Sequence, residues 1–120
     1  MKLDNVDLPL RQVRTVLDGF SNDLVARVGN RIFLIIWFGS TARGEGSLDS
    51  DLDVAIIASD ENKDLWDTIV EVASQHSIEN DSLISTLLIS KDRYEKMKCV
   101  GRLLAQSIEK DGVVLWRKVA

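Results

Sequence analysis

Four residues in the stretch "WFGSTARGEGSLDSDLDVAI" (37–56) have the types and spacing to do chemistry: Gly39, Ser40, Asp51 and Asp53. A glycine where an apolar run ends lets a ligand approach the backbone without a Cβ in the way. If Ser40 and the residues after it open a helical turn, their unpaired N–H groups and the turn's dipole suit a phosphate. The Ser40 hydroxyl adds a donor, and Arg43, one turn later, could reach the same anion. Gly44 and Gly46 let the chain fold back. Asp51 and Asp53 are two apart, so on a strand they share a face. Carboxylates that close repel unless something positive lies between them. Hard oxygen ligands at this spacing suit Mg²⁺, which takes one or two carboxylates plus substrate phosphates. A phosphate-binding turn facing a carboxylate pair is the makeup of a triphosphate–Mg²⁺ site.

A solvated Asp-x-Asp cap after an ordinary Gly-Ser turn is the competing explanation. Ten residues separate Ser40 from Asp51. At average composition, that spacing of Gly-Ser and Asp-x-Asp arises in a chain of this length on the order of one time in a thousand. The chance explanation is therefore set aside.

The elements that must position these residues are legible from periodicity. Val13, Leu17, Phe20 and Leu24 mark an amphipathic helix from about 10 to 28, with Pro9 in its first turn and Gly29 or Asn30 as its cap. "RIFLIIWF" (31–38) is a continuous β-branched and aromatic run, a strand buried on both faces. "DLDVAIIA" (51–58) is a second strand, and residues 62–76 form a helix through Leu65, Ile69, Val70 and Ala73. "SLISTLLIS" (82–90) is a third strand. Two helical stretches follow, carrying Tyr94, Met97, Leu104 and Ile108 on one face and stopped by Gly112. "VVLW" (113–116) is a short last strand. The order α-β-β-α-β-α-α-β predicts an α/β (α+β) chain with helices packed on a mixed sheet, one domain over residues 1–120.

Composition narrows the classes. A chain of 120 residues that is 45% hydrophobic can bury a core without staples. The single cysteine, Cys99, excludes a disulfide framework and reads as a semi-buried thiol. No apolar run reaches membrane-span length, and "MKLDNVDLPL" lacks the pattern of a signal peptide, so a cytoplasmic protein is expected. The net charge of −4 argues against nucleic acid as a partner. That charge is uneven: residues 39–81 hold eleven acidic and two basic side chains, residues 91–120 eight basic and four acidic. His76, Trp37, Trp66 and Tyr94 are expected to be structural, Trp116 a core edge or a partner contact, and Asp49 a secondary ligand at most.

"GSTARGEGSLDSDLD" resembles the signature of the DNA polymerase β-like nucleotidyltransferase superfamily, and more narrowly its minimal (MNT) members, with Gly39, Ser40, Asp51 and Asp53 at the motif positions. The resemblance implies the small nucleotidyltransferase fold. It also implies transfer of a nucleoside monophosphate from a triphosphate to a hydroxyl, with ATP as substrate and Mg²⁺ or Mn²⁺ as cofactor. Gly39 and Ser40 would then hold the triphosphate, while Asp51 and Asp53 bind the metal. Stand-alone members are often paired with a helical HEPN protein as toxin and antitoxin, which implies a hetero-oligomer and a tyrosine hydroxyl of the toxin as acceptor. One departure stands out. The superfamily's third carboxylate, on the next strand, aligns with Ser85, and Asp81 is the nearest acidic alternative. Serine is a weak metal ligand and no base near neutral pH. The alternative reading is a binding module that neutralises a helical partner by direct contact through the basic C-terminal third.

Overall fold

The computed structural model describes the backbone of residues 2–45 and 51–119, with side chains from Arg11 onward. The expectations for Gly46 and Asp49 fall outside the described residues. The elements are α1 (Lys2–Val28), a 3₁₀ turn (Gly29–Arg31), β1 (Ile32–Phe38), β2 (Leu52–Ala58), α2 (Lys63–Asn80), β3 (Ile84–Ser90), α3 (Lys91–Cys99), α4 (Leu103–Asp111) and β4 (Val113–Arg117). The α+β order expected from periodicity is the one observed. The sheet is mixed, in the order β3-β2-β1-β4, with β1 antiparallel to β2 and β4, and β2 parallel to β3. The parallel pair requires a crossover, and α2 supplies it.

Strand alternation sorts the core into two layers. Leu52, Val54, Ile56 and Ala58 of β2 face α1 and α2, where they pack with Leu17, Phe20, Leu24, Leu65, Ile69 and Val72. Ala55 and Ile57 face the other way, joining Ile36, Phe38 and Ile89 beneath Tyr94, Ala105 and Ile108 of α3 and α4. A sheet covered on both faces explains why β1 and β2 read as unbroken apolar runs. Arg31 clamps the start of α2 to the sheet through Asp60 (2.9 Å) and Asp64 (2.9 Å).

Several expectations need correction. The helix α1 starts at Lys2, so Pro9 lies within it rather than in its first turn. Leu3, Val6 and Leu10 continue the three-four spacing of Val13, Leu17 and Phe20 back along the chain, a signal that a boundary drawn at the proline overlooks. Trp66 is not core: it is 37% exposed, because Leu65, Ile69 and Val72 define the buried stripe of α2 and position 66 lies about 100° round the helix from Leu65. Val70 is exposed for the same reason, and Val72 takes its place. On α4, Ala105 rather than Leu104 is buried. The Cys99 thiol, at the end of α3, is exposed. His76 is structural as expected, with Nε2 3.1 Å from Asp23 Oδ2 of α1 and its ring edge-on to Phe20.

Candidate active site

The Gly-Ser turn and the carboxylates meet where β1 ends and β2 begins. Phe38, the last residue of β1, is in register with Asp53 of β2, and Asp53 is in register with Ser85 of β3. Phe38, Asp53 and Ser85 therefore form a row across three strands on the α3/α4 face. The helices cover only part of that face. Ala55 and Ile57 are buried beneath them, while Asp53 is half-buried and Ser85 exposed.

The turn itself is a single helical turn. Arg43 N donates to Gly39 O (3.2 Å), Gly44 N to Thr41 O (3.1 Å) and Glu45 N to Ser40 O (2.9 Å). A turn that begins in this way leaves its leading N–H groups pointing outward without acceptors of its own. Gly39 has φ +84°, a left-handed conformation that favours glycine. Its missing Cβ also matters for packing: an added Cβ would overlap Asp53 Oδ2 and stand 3.3 Å from Asp53 Cγ. The glycine thus brings the turn into direct contact with the carboxylate.

A second device fixes the turn from below. The indole Nε1 of Trp37 donates to Thr41 Oγ1 at 2.9 Å, with both residues buried. Residue-by-residue reading did not pick out Thr41. Its only sequence signal is a hydroxyl four residues after a tryptophan that needs an acceptor. Arg43 folds outward onto Glu45 (2.9 Å) and onto Asp111 at the end of α4 (3.2 Å), and these bonds raise its pKa. The guanidinium is thus engaged by carboxylates, and it ties the turn to α4.

Burial, and secondarily the negative charge of Asp51, push the Asp53 carboxyl above its ordinary value. Asp51 stands just before β2 and is exposed. Two neighbouring carboxylates, one of them with its proton affinity raised, beside a turn of outward N–H groups fit a divalent cation shared with a phosphate. Among the described residues, no three His, Cys, Asp or Glu side chains gather to hold a metal unaided, so phosphate oxygens would complete the shell. Ser85, in register with Asp53, offers a hydroxyl on the same face. Asp81 caps α2 in a left-handed conformation (φ 50°) and is exposed, three residues before β3 begins. A cavity of about 390 Å³ beside Leu52 and Val16 opens on the α1/α2 face and is separate from the carboxylates.

A family model described as a nucleotidyltransferase domain matches residues 17–115. A candidate protein adenylyltransferase of Methanocaldococcus jannaschii is 30% identical over 82 residues, covering 67% of this chain and 82% of its own. Among solved structures, a toxin–antitoxin complex with AMP-PNP superposes with a TM-score of 0.56 at 24% identity, covering 84% of this chain and 73% of that one. An MNT antitoxin of Shewanella oneidensis in complex with a tri-AMPylated HEPN toxin superposes at 0.50 with 20% identity, covering 88% and 73%. Identities this low establish a shared fold. The family match spans most of the chain, and with the turn and carboxylates in contact it settles the class: the chain belongs to the nucleotidyltransferase domain family and is a nucleotidyltransferase.

Proposed function

We propose that the chain transfers AMP from ATP, with Mg²⁺, to a hydroxyl of a partner protein, and that the partner is a HEPN-type helical protein with which it forms a toxin–antitoxin pair. The observation that carries this reading is the contact between Gly39 and the Asp53 carboxylate, which makes one site of the turn and the acid pair. Ser40 and the leading N–H groups of the turn would hold the triphosphate. Asp51 and Asp53 would hold the cation, which when bound neutralises phosphate charge. The open sheet surface beyond Asp53 leaves room for an acceptor hydroxyl to reach the α-phosphate, with pyrophosphate leaving. The M. jannaschii relative and the AMPylated HEPN complex support this choice of reaction and partner.

A second reading has a specific observation in its favour. Ser85, not a carboxylate, stands in register with Asp53, and a serine neither binds metal strongly nor takes a proton near neutral pH. On that reading the chain neutralises its partner by contact alone.

The deciding experiment supplies α-labelled ATP and Mg²⁺ to the chain and to HEPN-type proteins of the same genome. Label should pass to the partner with wild type and fall about 10²–10⁴-fold with Asp51→Asn or Asp53→Asn. Undiminished transfer in both variants would reject the site. Full neutralisation of the toxin by the double variant would favour contact alone. Calorimetric titration with a non-hydrolysable ATP analogue, with and without Mg²⁺, tests nucleotide binding without any partner.

A further inference from the structure

The elbow where α3 meets α4 brings protruding apolar side chains and cations together. Val100 is 69% and Leu103 82% exposed, and with Met97 and Leu104 they line a cleft of about 890 Å³. The remaining lining is Arg93, Lys96, Gly101 and Arg102, so three cations border the cleft and no acid does. Arg93 is held by Glu61 (2.6 Å) and the Leu88 carbonyl (3.2 Å). Lys96 and Arg102 form no ion pair among the described residues, which is also true of Arg11, Lys91, Lys110, Arg117 and Lys118; what sets the two apart is that they border an apolar cleft. The two cations and the protruding leucine and valine are thus left to solvent together.

We propose that this elbow is the docking surface for the partner protein, and that its occupant is an amphipathic helix of that partner, apolar along one stripe and acidic beside it. The inference rests on the partner reading given above and adds where the partner binds. Three features select that occupant. Val100 caps the end of α3 and Leu103 and Leu104 open α4, so apolar groups from both sides of the turn at Gly101 (φ 70°) face outward, where the apolar stripe of another helix could cover them. Protruding side chains suit insertion between the residues of a second helix, whereas a small ligand calls for an enclosing pocket. The unpaired Lys96 and Arg102 complement carboxylates flanking such a stripe, and an apolar floor is a poor match for a nucleic-acid backbone.

The location gives the docking a purpose. The α3 and α4 helices cover the same sheet face that carries Asp53 and Ser85, and Asp111 at the end of α4 is bonded to Arg43 of the phosphate turn. The elbow lies at the start of α4 and Asp111 at its end, so a helical protein seated there would rest on the helices that border the open side of the sheet.

The test uses the full chain and the HEPN-type protein from the transfer experiment. Lys96→Glu/Arg102→Glu should weaken binding of that protein roughly tenfold to a hundredfold, and Leu103→Asp should do likewise. Arg117→Glu/Lys118→Glu, the same charge change on β4, should leave it within about threefold. Affinity for the ATP analogue should be unchanged in all three, which reports an intact fold and nucleotide site. A photo-crosslinker at Leu103 should join a helix of the partner containing acidic residues.

Wild-type binding by Lys96→Glu/Arg102→Glu would overturn the proposal, as would equal loss in the β4 variant. Crosslinks to residues 63–80 of a second copy, whose Asp67 and Glu71 flank the exposed Trp66 and Val70, or crosslinks to nucleic acid, would also overturn it. If no HEPN-type protein binds the wild-type chain, docking fails along with the partner reading, and the analogue titration still judges the nucleotide site. If elbow-dependent binding occurs without label transfer, docking stands and the transfer reading falls.

Discussion

On the α1/α2 face of the sheet, Leu52, Val54, Ile56 and Ala58 are all buried beneath two long helices, and the cover runs the whole length of β2. On the α3/α4 face, two nine-residue helices reach only as far as Ala55 and Ile57, leaving Asp53 half-buried and Ser85 and Leu87 exposed. The same strands serve both faces, so the difference lies in helix length. A continuous cover makes a core, and a cover that stops short makes a floor on which a ligand can sit. Asp53 and Ser85 lie on the incompletely covered face, and among the described residues no charged residue is buried under α1 and α2.

The comparison can be broken first on its closed side. Phe20→Ala removes a fully buried ring from the α1/α2 layer and should destabilise the protein by about 3–5 kcal/mol. Leu87→Ala on the open side should change stability far less, by about 1 kcal/mol or under. Denaturant unfolding of the two variants measures the contrast, and equal losses would mean that the two faces do not differ as described.

Gly39→Ala probes the junction itself. It forces a side chain into a left-handed backbone and into the Asp53 carboxylate, which should cost about 1–3 kcal/mol and displace either the turn or the acid. Nucleotide-analogue affinity should fall with it. Normal affinity in a stably folded variant would show that the contact is incidental to the site.

Thr41→Val leaves the buried Trp37 indole N–H without its acceptor, at a cost of about 1–3 kcal/mol. Because the bond anchors the turn, analogue affinity should fall more than it does for a core substitution of equal thermodynamic cost. Thr41→Ser, which restores the hydroxyl, should recover the affinity.

The smallest effect sharpens the electrostatic side. Burial and Asp51 raise the Asp53 carboxyl, so folding favours its protonated form. That contribution is fully present below the ordinary value of 3.8 and is lost as pH rises through the raised folded value. Near neutral pH the metal-free site is therefore strained by charge. Asp53→Asn should raise the Tm of the metal-free chain at pH 7 and bring no comparable gain at pH 3. A divalent cation should stabilise the wild type more than the variant. A gain independent of pH would argue against charge as its origin.

How much of this was legible beforehand differs by element. The strands β1 and β2 were plain, because runs such as "RIFLIIWF" have no other place in a small chain than a doubly covered sheet. The start of α1 was obscured by Pro9, since a proline weighs against a helix interior while the spacing of Leu3, Val6 and Leu10 argues for one. Trp66 was misjudged because aromatic character says nothing about which side of a helix a residue takes, and that is decided by the stripe its neighbours form. Arg43 could be placed near the turn by its spacing, but Asp111, brought to it from the end of α4, is invisible to spacing.

The sequence by itself determined the order of elements, the mixed α+β character and the identities of Gly39, Ser40, Asp51 and Asp53, because strand and helix periods and a ten-residue interval are local properties. The resemblance added the expectation that Ser85 aligns with the superfamily's third carboxylate. Only the tertiary structure decided that Gly39 packs on Asp53, that Trp37 holds Thr41, that Arg43 is taken up by Glu45 and Asp111, and that the α3–α4 elbow shares a face with the carboxylates. Gly39 on Asp53 and Arg43 on Asp111 join segments whose approach depends on strand register and on where each helix ends, and neither is written in any one stretch of chain.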